Sequence, residues 1–403
     1  MKKLFITLLL FIVSGFSMTF FVANMAEKEI KTLLSENQNE DFSIELLSYE
    51  RGFFSATAIS EVHVLADQTS SLPLKITTTI YHYPYQAVLN NHIEITDQAL
   101  AKKVETYFGT TQWITSTEKI NLFAQLTGQL RIVAGEYKSD LETLNSEPVM
   151  IDYQVDLKNK SADVTLNWAG LTALTYGTAV KVNALQLSSH IASLSKQSDY
   201  NYHLTIKTVE VGQDSGHSLL EGVVLKGRSQ QGEQQKTIDT DNELIIDSYQ
   251  INMGETQTFT DNRLKLALTG LYQPAFELLN TGAGSSEEVE HALIELVSHG
   301  AQLTLSQLNS QTPWGEVDGT LDLVLDKGAS LTDIVLNPYI LFDYMSGDAS
   351  LVLPIRLLDE PAIAEPLQMG LMTGFLEQNA QTLNLKTSFQ QGELIVNGRI
   401  IPL

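Results

Sequence analysis

The stretch Phe42–Asp67, which reads FSIELLSYERGFFSATAISEVHVLAD, alternates small or apolar residues with polar residues on both sides of a short interruption. Alternation with a period of two is typical of β-strands that have one face covered and one face in water. The interruption places Gly52 between a charged pair and two adjacent phenylalanines. Because glycine can adopt the positive φ that many tight turns require, the pattern predicts two antiparallel strands joined by a turn at Gly52.

The same alternation recurs along the rest of the chain. It is seen in ADVTLNW (162–168), QLTLSQL (302–308), TLDLVLD (320–326) and SLVLPIRL (350–357). Leucines or other apolar residues take every second position, which indicates antiparallel sheet with one covered face. The predicted fold class is therefore α+β but β-dominated, with an N-terminal transmembrane helix followed by an extended, mostly antiparallel sheet and a few amphipathic helices.

Three segments of the body have helical signals. Asp97 is placed to cap a helix that carries Leu100, Val104 and Phe108 and ends at Gly109. Ser285 and Glu288 have the spacing of a capping box, followed by an apolar stripe that ends at Gly300. A third helix is predicted within PLQMGLMTGFLEQ, 366–378.

The N-terminal run Leu4–Val22 carries no charge and follows Lys2 and Lys3. About nineteen residues in a helix span roughly 29 Å, close to the ~30 Å hydrocarbon core of a bilayer. The residues before Ala23 and Ala26 make poor signal-peptide cleavage sites, so we expect residues 1–26 to remain as a single-pass anchor. We expect its helix to continue to about Glu36, the body 27–403 to lie outside the cytoplasm, and a chain that starts near Asp41 to be soluble.

The composition limits the partners and the chemistry. The chain has 48 acidic and 25 basic residues, a net charge of −23, and this surface would repel nucleic acid. It has no cysteine, which excludes disulfides, thiol catalysis and thiolate metal sites.

Known catalytic patterns are also missing from the sequence. There is no Gly-x-Ser-x-Gly, no His-Glu-x-x-His and no glycine-rich phosphate loop. Glu288 and His291 form a lone Glu-x-x-His, whereas a di-iron site would need a second one. Asp318, Asp322 and Asp326 share a strand face, which the abundance of acidic residues explains. The sequence thus predicts no catalytic residue, no metal and no cofactor, and it favours a protein that is not an enzyme.

An anchor followed by a strand that ends in Tyr49-Glu50-Arg51-Gly52-Phe53-Phe54-Ser55 resembles the YdgA-like family of bacterial proteins of unknown function. The segment IYHYPYQ is similar to that family's His-Gly-Pro-aromatic-Pro turn at His82 and Pro84, but it has Tyr83 and Gln86 where the family has glycine and proline. The final segment, 392–403, is similar to the family's closing strand. The resemblance implies attachment to the bacterial inner membrane through residues 4–22, with the body in the periplasm, and it implies no catalytic residues.

Two functions remain open at this point. The alternating leucines could form an apolar groove for a lipid or another hydrophobic ligand. Alternatively, the chain could be a structural or assembly protein of the envelope that binds a partner protein or a second copy of itself. The candidate structural or recognition motif comprises Arg51, Gly52, Phe53, Phe54, Ser55, His82 and Pro84. If this motif fixes a core, one phenylalanine should face inward; if it is a recognition surface, neither should matter for stability.

Overall fold

A computed structural model describes residues 16–32, 42–67, 70–194, 199–213, 216–232, 236–252, 254–281, 285–328, 337–390 and 392–401. The chain is β-dominated, its strands pair in antiparallel fashion and its helices are few, as the sequence predicts. It divides into two compact units, Met1–Ser195 and Lys196–Leu403.

The described residues of the first unit form one sheet and two helices. The helices are α1 (16–32) and α2 (Gln98–Phe108). The strands are β1 (Phe42–Arg51), β2 (Ser55–Asp67), β3 (Ser70–His82), β4 (Gln86–Ile95), β5 (Ile114–Asn121), β6 (Gln125–Ile132), β7 (Gly135–Lys138), β8 (Glu142–Ser146), β9 (Val149–Asp156), β10 (Ser161–Thr175) and β11 (Thr178–Ile191). Strands β1 to β6 pair in sequence order, and β9 pairs with β6. Strand β10 pairs with β9, β8 and β11, and β7 pairs with β8.

Helix α1 packs on one face of β2 to β5 and supplies three of the nine buried residues of the core there. Its residues Val22, Ala26 and Ile30 are buried at helical spacing. The buried strand residues in this cluster are Ala56, Ala58, Ile80, Ala87, Leu89 and Ile120. Three of the six are alanines, whose small side chains let the helix approach the sheet closely. The expectation that a chain starting near Asp41 would be soluble is therefore not supported by this packing, because such a chain lacks α1.

The predicted anchor, 4–22, lies only partly within the described residues. Positions 4–15 fall outside them, and 16–22 form the first turns of α1. No helix in the described part of the chain is both long enough and apolar enough to cross a bilayer. The helix that was expected to reach about Glu36 is described up to residue 32, and 33–41 fall outside the described residues.

The second unit is a long antiparallel meander. Its strands are β12 (Tyr200–Gln213), β13 (Gly216–Gln231), β14 (Thr237–Asn252), β15 (Thr256–Tyr272), β16 (Ala301–Thr312), β17 (Gly315–Leu325), β18 (Met345–Pro354), β19 (Glu377–Gln378), β20 (Thr382–Gln390), β21 (Glu393–Val396) and β22 (Arg399–Ile401). Its helices are α3 (Gln273–Thr281), α4 (Ser286–Ser298) and α5 (Ala364–Thr373), with 3₁₀ turns at Pro338–Tyr344 and Ile355–Asp359. Strands β12 to β18 pair in order, and β20 adds to β18.

The helix signals of the sequence are confirmed where they were strongest. The Asp97 carboxylate accepts the Leu100 N–H at 2.7 Å, and Gly109 ends α2 with a φ of +68°. The capping box at Ser285 and Glu288 is present at the start of α4. Helix α5 overlaps the predicted segment but begins two residues before it, at Ala364, whereas α3 was not predicted.

One strand prediction is wrong at its end. The alternation of SLVLPIRL continues through Leu357, but β18 ends at Pro354 and a 3₁₀ turn follows. Proline has no N–H to donate to a sheet ladder, which makes it a common strand terminus.

Candidate functional site

The predicted motif residues lie together at one end of the first unit's sheet. Alternate turns of an antiparallel meander lie at the same end of its strands. The turns β1–β2, β3–β4 and β5–β6 are therefore neighbours. The first of these turns contains Gly52–Phe54, the second contains Tyr83–Tyr85 and the third contains Leu122–Ala124. Arg51 and Ser55 flank the first turn, and His82 and Pro84 lie in or beside the second.

Arg51 joins the first turn to α1. Its Nη1 atom donates to the Asn24 Oδ1 atom at 2.7 Å and to the Glu27 Oε2 atom at 3.0 Å. Its guanidinium carbon lies 5.0 Å from the centre of the Phe20 ring. Lys31 also donates to Glu27, and its hydrogen bond together with that of Arg51 holds the pKa of this carboxyl below its usual range. The acidic partner of Arg51 is therefore Glu27.

Gly52 is required by a close backbone approach. Its N–H donates to the Ser55 carbonyl oxygen at 2.7 Å, and a Cβ atom at this position would lie 2.7 Å from the same oxygen. Its φ is not positive, so the conformation predicted from the sequence is wrong. The turn needs glycine for space.

His82 holds the first and second turns together. Its backbone N–H donates to the Phe54 carbonyl at 2.8 Å, and its Nδ1 atom lies 3.2 Å from the Phe53 carbonyl oxygen. The imidazole is buried, which lowers its pKa and favours the neutral ring with a proton on Nδ1. The neighbouring turn closes through a hydrogen bond from Tyr83 N–H to the Gln86 carbonyl at 2.9 Å.

Both phenylalanines of the motif are exposed, Phe53 at 43% and Phe54 at 60%. The expectation that one of them faces a core is therefore wrong. They lie in the turn between the strands, where the inward and outward alternation has ended. Their rings are 4.8 Å apart, and both lie within 6 Å of the ring of Phe16 on α1, at 5.7 and 5.9 Å.

Other exposed rings extend this surface. Tyr83 and Tyr85 stack with a centroid distance of 6.5 Å at the second turn, and Phe123 is 70% exposed at the third. A groove of about 460 Å³ runs between α1 and the second turn, lined by Phe16, Phe54, Tyr81, His82 and Pro84 among others. We call the exposed rings the aromatic rim; they are Phe16, Phe20, Phe53, Phe54, Tyr83, Tyr85 and Phe123.

The second unit has a different apolar surface. Its strand registers align leucines across the sheet, with one glycine in the row. This row is Leu204, Leu225, Leu244, Leu264, Leu308, Gly319, Leu351 and Leu385. Another row on the same side, four residues along β15 from the first, contains Leu268, Leu303, Leu323, Gly347 and Phe389. We call this side of the sheet the leucine face.

The leucine face is only partly covered. Its leucines are half-buried, whereas Ile238 and Leu271 elsewhere in the unit are buried. Helix α4 packs on α3 and reaches β15 near its end, where His299 stacks on Tyr272 at 3.8 Å. The opposite side of the sheet is polar; Lys226 there pairs with Glu243, for example.

One end of the leucine face is a distinct cavity of about 290 Å³. The 3₁₀ turn at Pro338–Tyr344 places Phe342 over the sheet, 5.9 Å from the ring of Phe389. The other lining residues are mainly apolar and include Leu321, Leu323, Met345, Ala349, Thr387 and Leu394. Its shape and lining suit a hydrocarbon group.

The comparisons with known proteins identify a family. A family model described as "Bacterial protein of unknown function (DUF945)" matches residues 1–403. The chain belongs to this family. Nothing among curated proteins or solved structures matches it. The description of the DUF945 family gives no activity.

The acidic candidates of this DUF945 chain serve local structural roles. The Glu288 carboxylate accepts the Ser285 N–H at 2.8 Å, and this hydrogen bond lowers its pKa. Asp322 accepts from Gln302 at 2.8 Å and from Thr304 at 3.2 Å. Within the described ranges, no three histidine, aspartate or glutamate side chains converge as metal ligands would.

One polar cluster was not predicted. Glu118 on β5 is buried, and its carboxylate accepts hydrogen bonds from the Tyr153 hydroxyl at 2.8 Å and from the Asn91 amide. Burial raises the pKa of this carboxyl despite these donors. Gly128 on β6 pairs with Glu118 on one side and with Tyr153 on the other. A glycine inside an alternating strand indicates a close approach by another group, and this was the signal for the cluster in the sequence.

The raised pKa of Glu118 predicts a pH dependence of stability. A carboxyl whose pKa is higher in the folded state than in the unfolded state binds its proton more tightly when the protein is folded. Its contribution is therefore fully present below the ordinary value of 4.5 and is lost as pH rises through the folded pKa. We expect Glu118→Gln to remove this decline in urea unfolding measured from pH 4 to pH 8.

The matched control for this measurement is Glu27→Gln. The pKa of Glu27 is lowered, so its contribution is present above the ordinary value and is lost as pH falls. The two substitutions should therefore change the pH profile with opposite signs. A profile that Glu118→Gln leaves unaltered would contradict the assignment.

Proposed function

We propose that this DUF945 protein is not an enzyme but a membrane-anchored envelope protein that binds a lipid acyl chain or a similar hydrophobic ligand on its leucine face. The observation that supports this most is the row of half-buried leucines across β12 to β20. Contact between water and the incompletely covered apolar side of a sheet is unfavourable. A bound hydrocarbon would displace this water and lower the free energy.

The strength of such binding depends on the length of the apolar contact. Each methylene that leaves water contributes about 0.8 kcal/mol, so ten methylenes contribute roughly 8 kcal/mol. Association costs about 4–15 kcal/mol in lost freedom of motion, so the contact must be long for the binding to be tight. The length of the leucine row fits this requirement better than the end cavity alone.

The proposed location follows from the N-terminal sequence. Leu4–Val22 is uncharged and is preceded by Lys2 and Lys3, as expected for an anchor whose short N-terminus stays in the cytoplasm. We propose the bacterial inner membrane, with the body in the periplasm. Membership of the DUF945 family is consistent with the YdgA-like resemblance that implies the same location.

The ligand proposal can be tested on the detergent-extracted full chain. We expect native mass spectrometry to detect a co-purified lipid, and we expect the fluorescent fatty acid cis-parinaric acid to bind the delipidated protein. Thr387→Trp places an indole in the end cavity, because Thr387 lies opposite Ala349 on the leucine face. The affinity for cis-parinaric acid should fall about tenfold, which corresponds to roughly 1.4 kcal/mol.

Ser388→Trp is the matched control. Ser388 is the next residue of β20 and lies opposite Asp348, on the other side of the sheet. This control variant should bind cis-parinaric acid as the parent does. Equal affinities for the two variants, or no binding by the parent, would contradict the proposal. Concentration-dependent self-association without lipid would favour an assembly protein instead.

A further inference from the structure

We infer that the aromatic rim lies in the interfacial layer of the bilayer, so that the first unit rests on the membrane surface from which its anchor emerges. This inference depends on the proposed anchor, 4–22, and it adds a second contact with the membrane. It concerns a different surface from the leucine face.

Helix α1 runs along the sheet from the aromatic rim toward the strand interior. Phe16, at the start of the described helix, contacts Phe53 and Phe54 at the edge of the sheet. Further along the helix, Glu27 pairs with Arg51, and the Lys31 ammonium lies 5.3 Å from the ring of Tyr49. The helix therefore runs along β1 away from the rim, and the uncharged residues that precede Phe16 join the body at the rim.

The position of Phe16 in the anchor sets the depth of the aromatic rim in the bilayer. Phe16 lies six positions before Val22, the last residue of the proposed anchor 4–22, which is about 9 Å along a helix. If the run spans the bilayer, Phe16 lies inside the membrane boundary by that amount. Rings within 6 Å of Phe16 must lie at a similar level, so Phe53 and Phe54 are placed in the interfacial layer.

The packing of α1 makes this placement rigid. Thr19 and Val22 belong to the uncharged run, yet both are buried in the first unit. The end of the anchor is thus held by the protein body, and a flexible tether does not separate the two. The body cannot move away from the membrane without either unpacking Val22 or withdrawing the run.

The chemistry of the rim fits an interface. Aromatic side chains with exposed rings, tyrosines in particular, are enriched where hydrocarbon meets water. Arg51 has its guanidinium against the Phe20 ring and pairs with Glu27 on the aqueous side of the run. The β9–β10 turn lies at the same end of the strands and contains Lys158 and Lys160. These two lysines suit an anionic lipid surface better than the acidic remainder of the chain does.

The absence of cysteine permits a direct test with the full chain. Single cysteines at Phe54 and at Tyr85 would carry nitroxide labels on two different rim turns. Tyr176→Cys is the matched control. Tyr176 is an exposed aromatic residue in the β10–β11 turn, at the opposite end of the strands of the same sheet. Leu10→Cys reports insertion of the anchor. The proteins are reconstituted in phosphatidylcholine and phosphatidylglycerol vesicles, and collision rates with oxygen and with a water-soluble nickel complex are compared.

We expect the labels at Phe54 and Tyr85 to favour oxygen over nickel, as at a depth of about 5–10 Å, and the label at Tyr176 to favour nickel. An immersed Leu10 label with aqueous rim labels would overturn the inference while leaving the anchor intact. Aqueous labels at all positions would overturn both. Dipolar broadening between rim labels without immersion would show that a second copy covers the rim, and would also overturn it. Binding of cis-parinaric acid, measured separately, tests the leucine face independently.

Discussion

Deletion of residues 1–41 is expected to unfold the first unit, whereas deletion of residues 1–15 should leave it folded. The longer deletion removes α1, whose Val22, Ala26 and Ile30 are buried against the sheet. Burial of a valine or isoleucine side chain contributes about 1.5–3 kcal/mol, and the strand residues beneath the helix would also be exposed to water. The total is comparable to the ~5–15 kcal/mol stability of a whole domain.

The measurement compares the two deletions with the detergent-extracted parent. Urea unfolding and binding of the dye ANS should show a loss of cooperative structure and an exposed apolar surface only when 1–41 are absent. The shorter deletion serves as the control because it removes most of the uncharged run but keeps the helix–sheet contact. It should also release the protein from membranes if the run is an anchor. A soluble, cooperatively folded first unit without residues 1–41 would contradict the role assigned to α1.

Local signals allowed much of the fold to be predicted from the sequence. Alternation located β1, β2, β10, β16 and β17, and capping residues located α2 and α4. These features depend on residues close in sequence, so a single sequence contains them. The failure at Ile355 and Leu357 shows the limit, because apolar spacing continued after the backbone had left the strand.

The surfaces could be predicted less well, because they depend on which elements meet. Nothing local distinguishes Val22, which is buried under the sheet, from Phe21, which is exposed. The sequence located the motif at Arg51–Ser55, but the prediction that one of its phenylalanines packs in a core was wrong. The exposure of Phe53 and Phe54 depends on where the strands end, which the alternation does not show. The alternating leucines were visible individually, yet the row across the sheet exists only through the strand registers.

The second large effect is expected at Gly128 on β6. A Cβ atom there would lie 2.2 Å from the ring carbon Cζ of Tyr153 and 2.5 Å from its hydroxyl oxygen. Tyr153 crosses Gly128 to reach the buried Glu118 carboxylate, and its position leaves no room for a side chain. Gly128→Val should displace the ring and leave the carboxylate without one of its donors.

The expected cost of Gly128→Val has two parts. Overpacking costs about 1–3 kcal/mol, and loss of a hydrogen bond to a charged group costs about 1.5–3 kcal/mol. Urea unfolding should therefore show a loss of roughly 2.5–6 kcal/mol. Tyr153→Phe removes only the hydroxyl and should cost the second part alone. Gly212→Val is the control, because the nearest atom to a Cβ there is 3.7 Å away.

The second unit contains a similar arrangement that separates the two contributions. Tyr202 crosses Gly227 in the same way: a Cβ atom on Gly227 would lie 2.3 Å from the Tyr202 Cε1 atom, and the Tyr202 hydroxyl donates to the Asn242 Oδ1 atom at 3.1 Å. The steric cost is the same, but the acceptor is a neutral amide, whose hydrogen bond contributes about 0.5–1.5 kcal/mol. Gly227→Val should therefore cost less than Gly128→Val. If the two costs are equal, the charge on Glu118 is not what makes the Gly128 site sensitive; if Gly212→Val costs as much as either, the tyrosine contact is not the cause.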